Sequence, residues 1–369
     1  RISGSVVGMI IALIGYVVLV VRHRAFILAL PLIGIGMFAL WGGLRFTVYA
    51  VPVAAMSAIY LFFVIAEQIQ ENKAKYLFIT MATALMIYPN ITHIIEYKVP
   101  TVLNKAEVED LDKLNQMADV KDYTLAWWDY GYPIWYYSDT STLIDGGKHN
   151  NDNFIISKIM QTPSPELAVN FARLAVETYV DSNYAVVANT LFKDKNPNVL
   201  LSELSDANYT LPKKSRDIYL YLPYRMMGIF PTVAIFGNIN LNTGKEERNM
   251  EFYPSSPASQ QGSKVLLRNG IIFDSATGDI EIRGQHISVY RFDSVQYKPN
   301  GKSLVESQLS HIDGEFCVVY LQSYNQMIVM DRKTYNSTYV QMFMLDNYDK
   351  NLFELVVSSP YSKIYKLKK

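Results

Sequence analysis

Four long apolar runs in the first 95 residues, at 5–21, 25–41, 46–66 and 76–95, constrain this chain more than anything else in it. Each lies near the roughly 17–25 residues that a helix needs to cross a bilayer. Core helices of a large soluble domain are the other use for such runs, but four in succession with very short polar breaks argue against it. The breaks also carry orientation. Arg22-His23-Arg24 follows the first run, and Lys73 and Lys75 precede the fourth. If the runs alternate in direction, both basic breaks lie on one side, which the positive-inside rule makes cytoplasmic. The N-terminus, the turn at 42–45 and everything after Ile95 then face outside.

Nearly every carboxylate falls in that outward portion, so one part of the chain suits lipid and the other water. Thirty-four basic and 34 acidic residues give a formal charge of zero, which offers nucleic acid no global attraction. Cys317 is the only cysteine, so no intrachain disulfide forms and the redox compartment stays open. The first apolar run does not end in a small-residue cleavage site and is not read as a signal peptide. The chain opens at Arg1 without methionine and reads as a segment of a longer protein. Arg45, at a helix end on the outward side, falls outside the positive-inside rule. It either snorkels to the interface or stands as a fixed cation awaiting an anion.

Past Pro100 the pattern is mixed. A helix is predicted at 106–117, and a clearer one at 164–183, with Ser164 as N-cap and Pro165 opening the first turn. A strand at 217–222 leads into a short helix near 224–230. After about Ile235 short strands such as 264–268, Phe316–Leu321 and 327–330 alternate with turn signals. Those are Asn242-Thr243-Gly244, Asn269-Gly270, Thr277-Gly278-Asp279 and Asn300-Gly301. The expected fold is four transmembrane helices followed by an external α+β domain that ends in a β-barrel or sandwich. The expected divisions are 1–98 for the membrane helices, 99–234 for the mixed part, 235–332 for the β-rich part and 333–369 for a C-terminal return.

The densest unusual stretch is Trp127-Trp128-Asp129-Tyr130-Gly131-Tyr132, followed by Asp145-Gly146-Gly147-Lys148-His149. An indole N–H only donates a hydrogen bond and a carboxylate only accepts. Side by side they satisfy both halves of one hydroxyl, and such a site rejects an analogue that lacks it. The plain alternative is a tryptophan pair in a core, with Asp129 capping a turn.

The WWDYG pentapeptide at 127–131, followed by DGGKH at 145–149, resembles the signature of the oligosaccharyltransferase catalytic subunit, in its bacterial single-subunit form. The similarity extends to Gly42-Gly43-Leu44-Arg45 and to Tyr339-Val340-Gln341-Met342-Phe343. The resemblance implies transfer of an oligosaccharide from a polyprenyl pyrophosphate to asparagine in Asn-x-Ser/Thr sequons of acceptor proteins. Trp127, Trp128 and Asp129 would bind the sequon hydroxyl. Met226, Ile229 and Val233 match a second motif that lines the same pocket, where one helix face would offer them together to a threonine methyl. Pro231 departs from a continuous helix there. Arg45 matches the arginine that holds the pyrophosphate, suited to it by its bidentate fork. Tyr132, His149 and, more weakly, Tyr97 match positions of the lipid-pyrophosphate and first-sugar site, although His149 equally suits a solvated loop.

The resemblance also implies Mn2+ or Mg2+, with ligands expected ahead of Arg1, so the segment alone would be inactive and holds no catalytic or metal-ligating residue of its own. Location would be the bacterial inner membrane, with the C-terminal domain in the periplasm. A membrane-anchored peptide-binding protein without catalysis is the alternative, and a membrane glycosyltransferase for another acceptor a third. Finally, Asp206-Ala207-Asn208-Tyr209-Thr210 marks Asn208 as a self-glycosylation candidate. The sequons at Asn90 and Asn336 lack the acidic residue two positions earlier.

Overall fold

The computed structural model describes residues 4–98, 101–298 and 302–369. The Asn300-Gly301 turn signal lies outside them. The chain falls into two compact units, one ending at Thr101 and one running from Val102 to Lys369.

The first unit is helical: α1 (Val6–Arg22), α2 (Leu30–Gly42), α3 (Thr47–Ala66) and α4 (Asn72–Glu96). Counted with their adjoining 3-10 turns, Arg24–Gly42, Leu44–Ala66 and Asn72–Glu96 are long and apolar enough to cross a membrane. The first apolar run forms a helix of 17 residues, shorter than the other three. A Cβ on Gly15 would lie 2.1 Å from the Ser57 carbonyl oxygen, so glycine lets α1 pack closely on α3. Arg22 at the end of α1 donates to Glu67 just past α3 at 3.0 Å, which puts those two ends together. Arg45, in the turn between α2 and α3, is therefore at the other end of α3. No residue of α4 is fully buried, and its exposed Leu77, Met81, Leu85, Tyr88 and Ile91 form an apolar face suited to an apolar solvent. These helices make this a membrane protein.

The second unit opens with α5 (Lys105–Asn115), set by a capping box in which Asn104 accepts from the Glu107 N–H and Glu107 accepts from the Asn104 N–H. Then come β1 (Tyr123–Leu125), α6 (Gly131–Ser138), α7 (Asn153–Gln161) and α8 (Pro165–Asp181), the last with Ser164 as N-cap and proline in its first turn. After α9 (Val187–Leu191) and α10 (Pro197–Leu204) follow β2 (Ile218–Pro223) and α11 (Phe230–Gly237). β1 and β2 are parallel, with Tyr123 opposite Ile218 and Leu125 opposite Leu220.

The β-rich part contains β3 (Phe252–Ser255), β4 (Pro257–Gln261), β5 (Lys264–Leu267), β6 (Ile272–Asp274), β7 (Asp279–Ile282), β8 (Gln285–Tyr297), β9 (Ser303–Leu309), β10 (Phe316–Leu321) and β11 (Gln326–Asp331). Its path runs β3-β11-β10-β8-β7-β6-β5-β4, with β9 added on β8. The outermost strands β3 and β4 are separated only by Ser256, so the sheet has to curl until its edges meet. Ser256 stands at that seam: its carbonyl accepts from Arg268 N–H at 3.0 Å and its hydroxyl from Gln326 at 2.9 Å. The result is a nearly closed barrel filled by Phe273, Ile280, Val289, Val318 and Val329. The chain then returns. β12 (Phe353–Ser358) and β13 (Ser362–Leu367) complete the first sheet in the order β1-β2-β13-β12.

Candidate functional site

The parallel pairing of β1 and β2 brings distant motifs together. Parallel strands deliver their C-terminal ends to the same edge of a sheet, where α/β folds keep their ligand crevices. β1 ends at Leu125 and hands over to Trp127-Trp128-Asp129. β2 ends at Pro223 and hands over to a 3-10 turn, Tyr224–Gly228, carrying Met226.

Trp127 is buried, its ring 5.1 Å from that of Phe236 on α11. Trp128 is half-buried, its ring 4.9 Å from the His149 imidazole, which lies 5.8 Å from Phe236. Asp129 is exposed, yet neighbouring groups displace enough water that desolvation pushes its pKa up; its own backbone N–H, a hydrogen bond from Trp127 and nearby His149 pull the other way. The 3-10 turn Trp128–Tyr130 has Trp127 as its N-cap and carries no side-chain capping bond. Among the described residues the Trp128 indole N–H meets no protein acceptor.

The DGGKH segment is clasped to this turn at successive points. A Cβ on Gly131 would lie 2.4 Å from Asp145 Cβ, so only glycine admits the approach. Asp145 is buried and accepts from the N–H groups of Gly147 and Lys148 at 2.8 and 2.9 Å. The exposed Tyr132 ring lies over Gly146, with its hydroxyl beside Gly147. The Asn153 amide nitrogen bonds the exposed His149 at Nδ1. Phe236 and Asn153 are contacts that sequence reasoning missed, since neither belongs to a motif; an aromatic ten residues past Met226 is no signal by itself.

Met226, Ile229 and Val233 do not share one helix. Ile229 ends the 3-10 turn and serves as N-cap of α11, where Pro231 sits in the first turn. The proline has no N–H to lose there, so it starts a helix instead of breaking one. Met226 and Val233 are fully buried, while Ile229 is half-buried. The turn is anchored by a two-point ion pair from Arg225 to Glu107 at 2.5 and 2.8 Å. Tyr339, from the aromatic run near the C-terminus, donates to Pro223 at 3.0 Å and packs its ring against Phe230. Its neighbours Val340–Met344 form a π-helical turn. Ser157 of α7 ties α11 down, donating to the Val233 carbonyl at 2.5 Å and accepting from Gly237 N–H at 2.8 Å.

Arg45 and Tyr97 belong to the helical unit and are exposed, Tyr97 at the C-terminal cap of α4. Asn208 is exposed in a turn after α10, its N–H accepted by Asp206 at 2.9 Å. The sequon at Asn336 has its Ser337 and Thr338 buried, and Asn90 lies within α4. Among the described residues no three histidine, cysteine, aspartate or glutamate side chains converge as a metal site, so these residues do not fit the expected divalent cation and no step is derived through it.

These features define a class: a membrane protein whose apolar helices precede an α/β unit that presents a tryptophan–aspartate turn and carries a nearly closed barrel. Residues 120–243 match the STT3/PglB/AglB core domain, and residues 251–330 the STT3/PglB C-terminal beta-barrel domain. The whole chain is 38% identical to the undecaprenyl-diphosphooligosaccharide–protein glycotransferases of two Campylobacter jejuni strains, spanning 54% of their length. It is 35% identical to the crystal structure of the C. jejuni PglB C-terminal domain, covering all of that chain and 71% of this one at a TM-score of 0.62. The chain belongs to the STT3/PglB family.

Proposed function

We propose that this chain is the acceptor-recognising portion of an oligosaccharyltransferase that moves an oligosaccharide from a polyprenyl pyrophosphate to asparagine in Asn-x-Ser/Thr sequons. The observation that carries the reading is the pairing in one turn of an open carboxylate with an indole N–H that meets no protein acceptor among the described residues. A Ser or Thr hydroxyl donates to Asp129 and accepts from Trp128, beside buried Trp127. Met226 and Val233 support this surface from beneath, and half-buried Ile229 offers the apolar contact for a threonine methyl.

Arg45, Tyr97, Tyr132 and His149 are assigned to the lipid-linked donor. Arg45 grips the pyrophosphate bidentately, and His149, fixed by Asn153 and Trp128, faces the first sugar. The unit from Val102 onward is assigned to the periplasm of a bacterium, and Arg22 and Lys73 to the cytoplasmic side of its inner membrane. Of the expected divisions, 99–234 carries the motifs, 235–332 is the β-rich part and 333–369 returns to the first sheet. The glycotransferase activity for which the relatives are named and the fold of the C. jejuni PglB C-terminal domain support the reading.

Binding of labelled Asn-x-Thr, Asn-x-Ser and Asn-x-Ala peptides to the full-length protein and its Trp128→Phe variant tests it. Loss of one hydrogen bond, net about 0.5–1.5 kcal/mol, should weaken the first two peptides and leave the third unchanged. Equal weakening of all three would overturn the hydroxyl clamp. The companion assay is transfer from a polyprenyl-pyrophosphate oligosaccharide, where a bound but unmodified peptide would point to a peptide-binding protein.

A further inference from the structure

A groove of about 750 Å³ opens at His149 and runs between the start of α7, the α9 segment and the chain just past α11. Asn153, Phe154, Asn189, Phe192 and Phe236 line it. It contains an unmet demand. Asn153 is 2% exposed, and while its nitrogen bonds His149, its Oδ1 has no partner. Turning the amide over only exchanges which atom is left, so the groove is bordered by a buried polar group without a protein partner among the described residues. Asn151 donates to Asn189 at 2.9 Å across one wall, leaving a carbonyl on the first and amide hydrogens on the second facing solvent.

The lining specifies the occupant. Side-chain amides offer donors and acceptors in equal measure. The phenyl rings of Phe154, Phe192 and Phe236 offer apolar faces, Phe154 and Phe192 set edge-to-face at 5.8 Å. Apart from His149, Lys193 is the one ionisable side chain among the described lining residues. An anion would be met by more than one cation, and an extended peptide by an open strand edge, which these helix and loop walls lack. A neutral polyhydroxylated chain, with hydroxyls that donate and accept and C–H faces that stack on rings, fits both kinds of surface. We propose that this groove is a saccharide subsite that holds the donor's sugar chain beyond its first residue. The assignment of that saccharide to the donor rests on the transferase reading above.

The test compares two donors in the full-length protein, a polyprenyl pyrophosphate bearing one sugar and one bearing the oligosaccharide. Asn189→Ala, at an exposed position, and Phe192→Ala should each raise KM for the oligosaccharide donor about tenfold. KM for the one-sugar donor and for the acceptor peptide should not move. A shift in peptide KM would reassign the groove to the acceptor chain and overturn the proposal, as would equal effects on both donors or no effect. In parallel, saturation-transfer NMR with free maltotriose and chitotriose should show contact of at least one with the wild-type protein, lost in Asn189→Ala. If the wild-type protein transfers from neither donor, the transferase reading fails, and the NMR result alone decides the groove. Absence of contact with both trisaccharides would then overturn it.

Discussion

Replacing Asp129 by asparagine separates a residue kept for binding from one kept for the fold. Desolvation holds the Asp129 pKa above its ordinary value, so the charged form is less comfortable in the folded protein than in the unfolded chain. The sign follows directly. The contribution of a raised group is fully present below its unfolded pKa and is lost as pH rises through its folded pKa. At neutral pH the wild-type protein therefore carries a small penalty that Asp129→Asn removes. Because the residue is exposed, the change should stay within about 0.5 kcal/mol. A capping aspartate would behave oppositely, since loss of a cap costs about 0.5–2 kcal/mol. Binding should move much further. A hydrogen bond to a charged group contributes about 1.5–3 kcal/mol, which is roughly ten- to 150-fold in Kd. The assays are thermal unfolding of the detergent-solubilised protein from mildly acidic to neutral pH and anisotropy of labelled Asn-x-Thr peptide. The expected variant is as stable as the wild type or slightly more so at neutral pH, with the difference vanishing below the ordinary carboxylate range, and its peptide affinity is much weaker. A variant clearly less stable at neutral pH, or one with unchanged affinity, would refute the reasoning.

Gly131→Ala forces a Cβ to within 2.4 Å of Asp145, and such overpacking costs about 1–3 kcal/mol; an unchanged unfolding temperature would show that the turn yields freely. For orientation, a cysteine at Gly43 should react with an impermeant thiol reagent on intact cells and one at Lys73 should not, and the reverse pattern would invert the topology. Cys317 needs no removal for that experiment, because it is fully buried and burial pushes its thiol pKa up to about 12. In cells that carry the complete pathway, Asn208 should gain a glycan once the Asp206 turn opens, while Asn336, whose sequon hydroxyl is buried, should not. Intact mass with bare Asn208 there counts against self-modification.

Much of this fold is written in local signals. Ser164 and Pro165 start α8 because an N-cap hydroxyl and a fixed φ act on the next turn alone. Gly270 and Gly278 turn hairpins because each takes a positive φ that a side chain resists. The apolar runs declare membrane helices by length, since 1.5 Å per residue against a fixed bilayer is arithmetic. The tryptophan–aspartate turn was equally legible, because its chemistry lies in adjacent residues. Other features depend on what packs against what. That β1 pairs with β2, whose register partners lie 95 positions apart (Tyr123 opposite Ile218), was settled by burial of both strands and by the returning β13. Pro231 reads as a helix breaker until the structure places it one residue inside a new helix. Phe236 and Asn153 reach the motif only because Ser157 fixes α11 against α7. The difference has one physical cause. A cap, a turn or a membrane span is decided by free energies within a few residues, whereas the walls of a site come from segments that meet only after the whole core has closed.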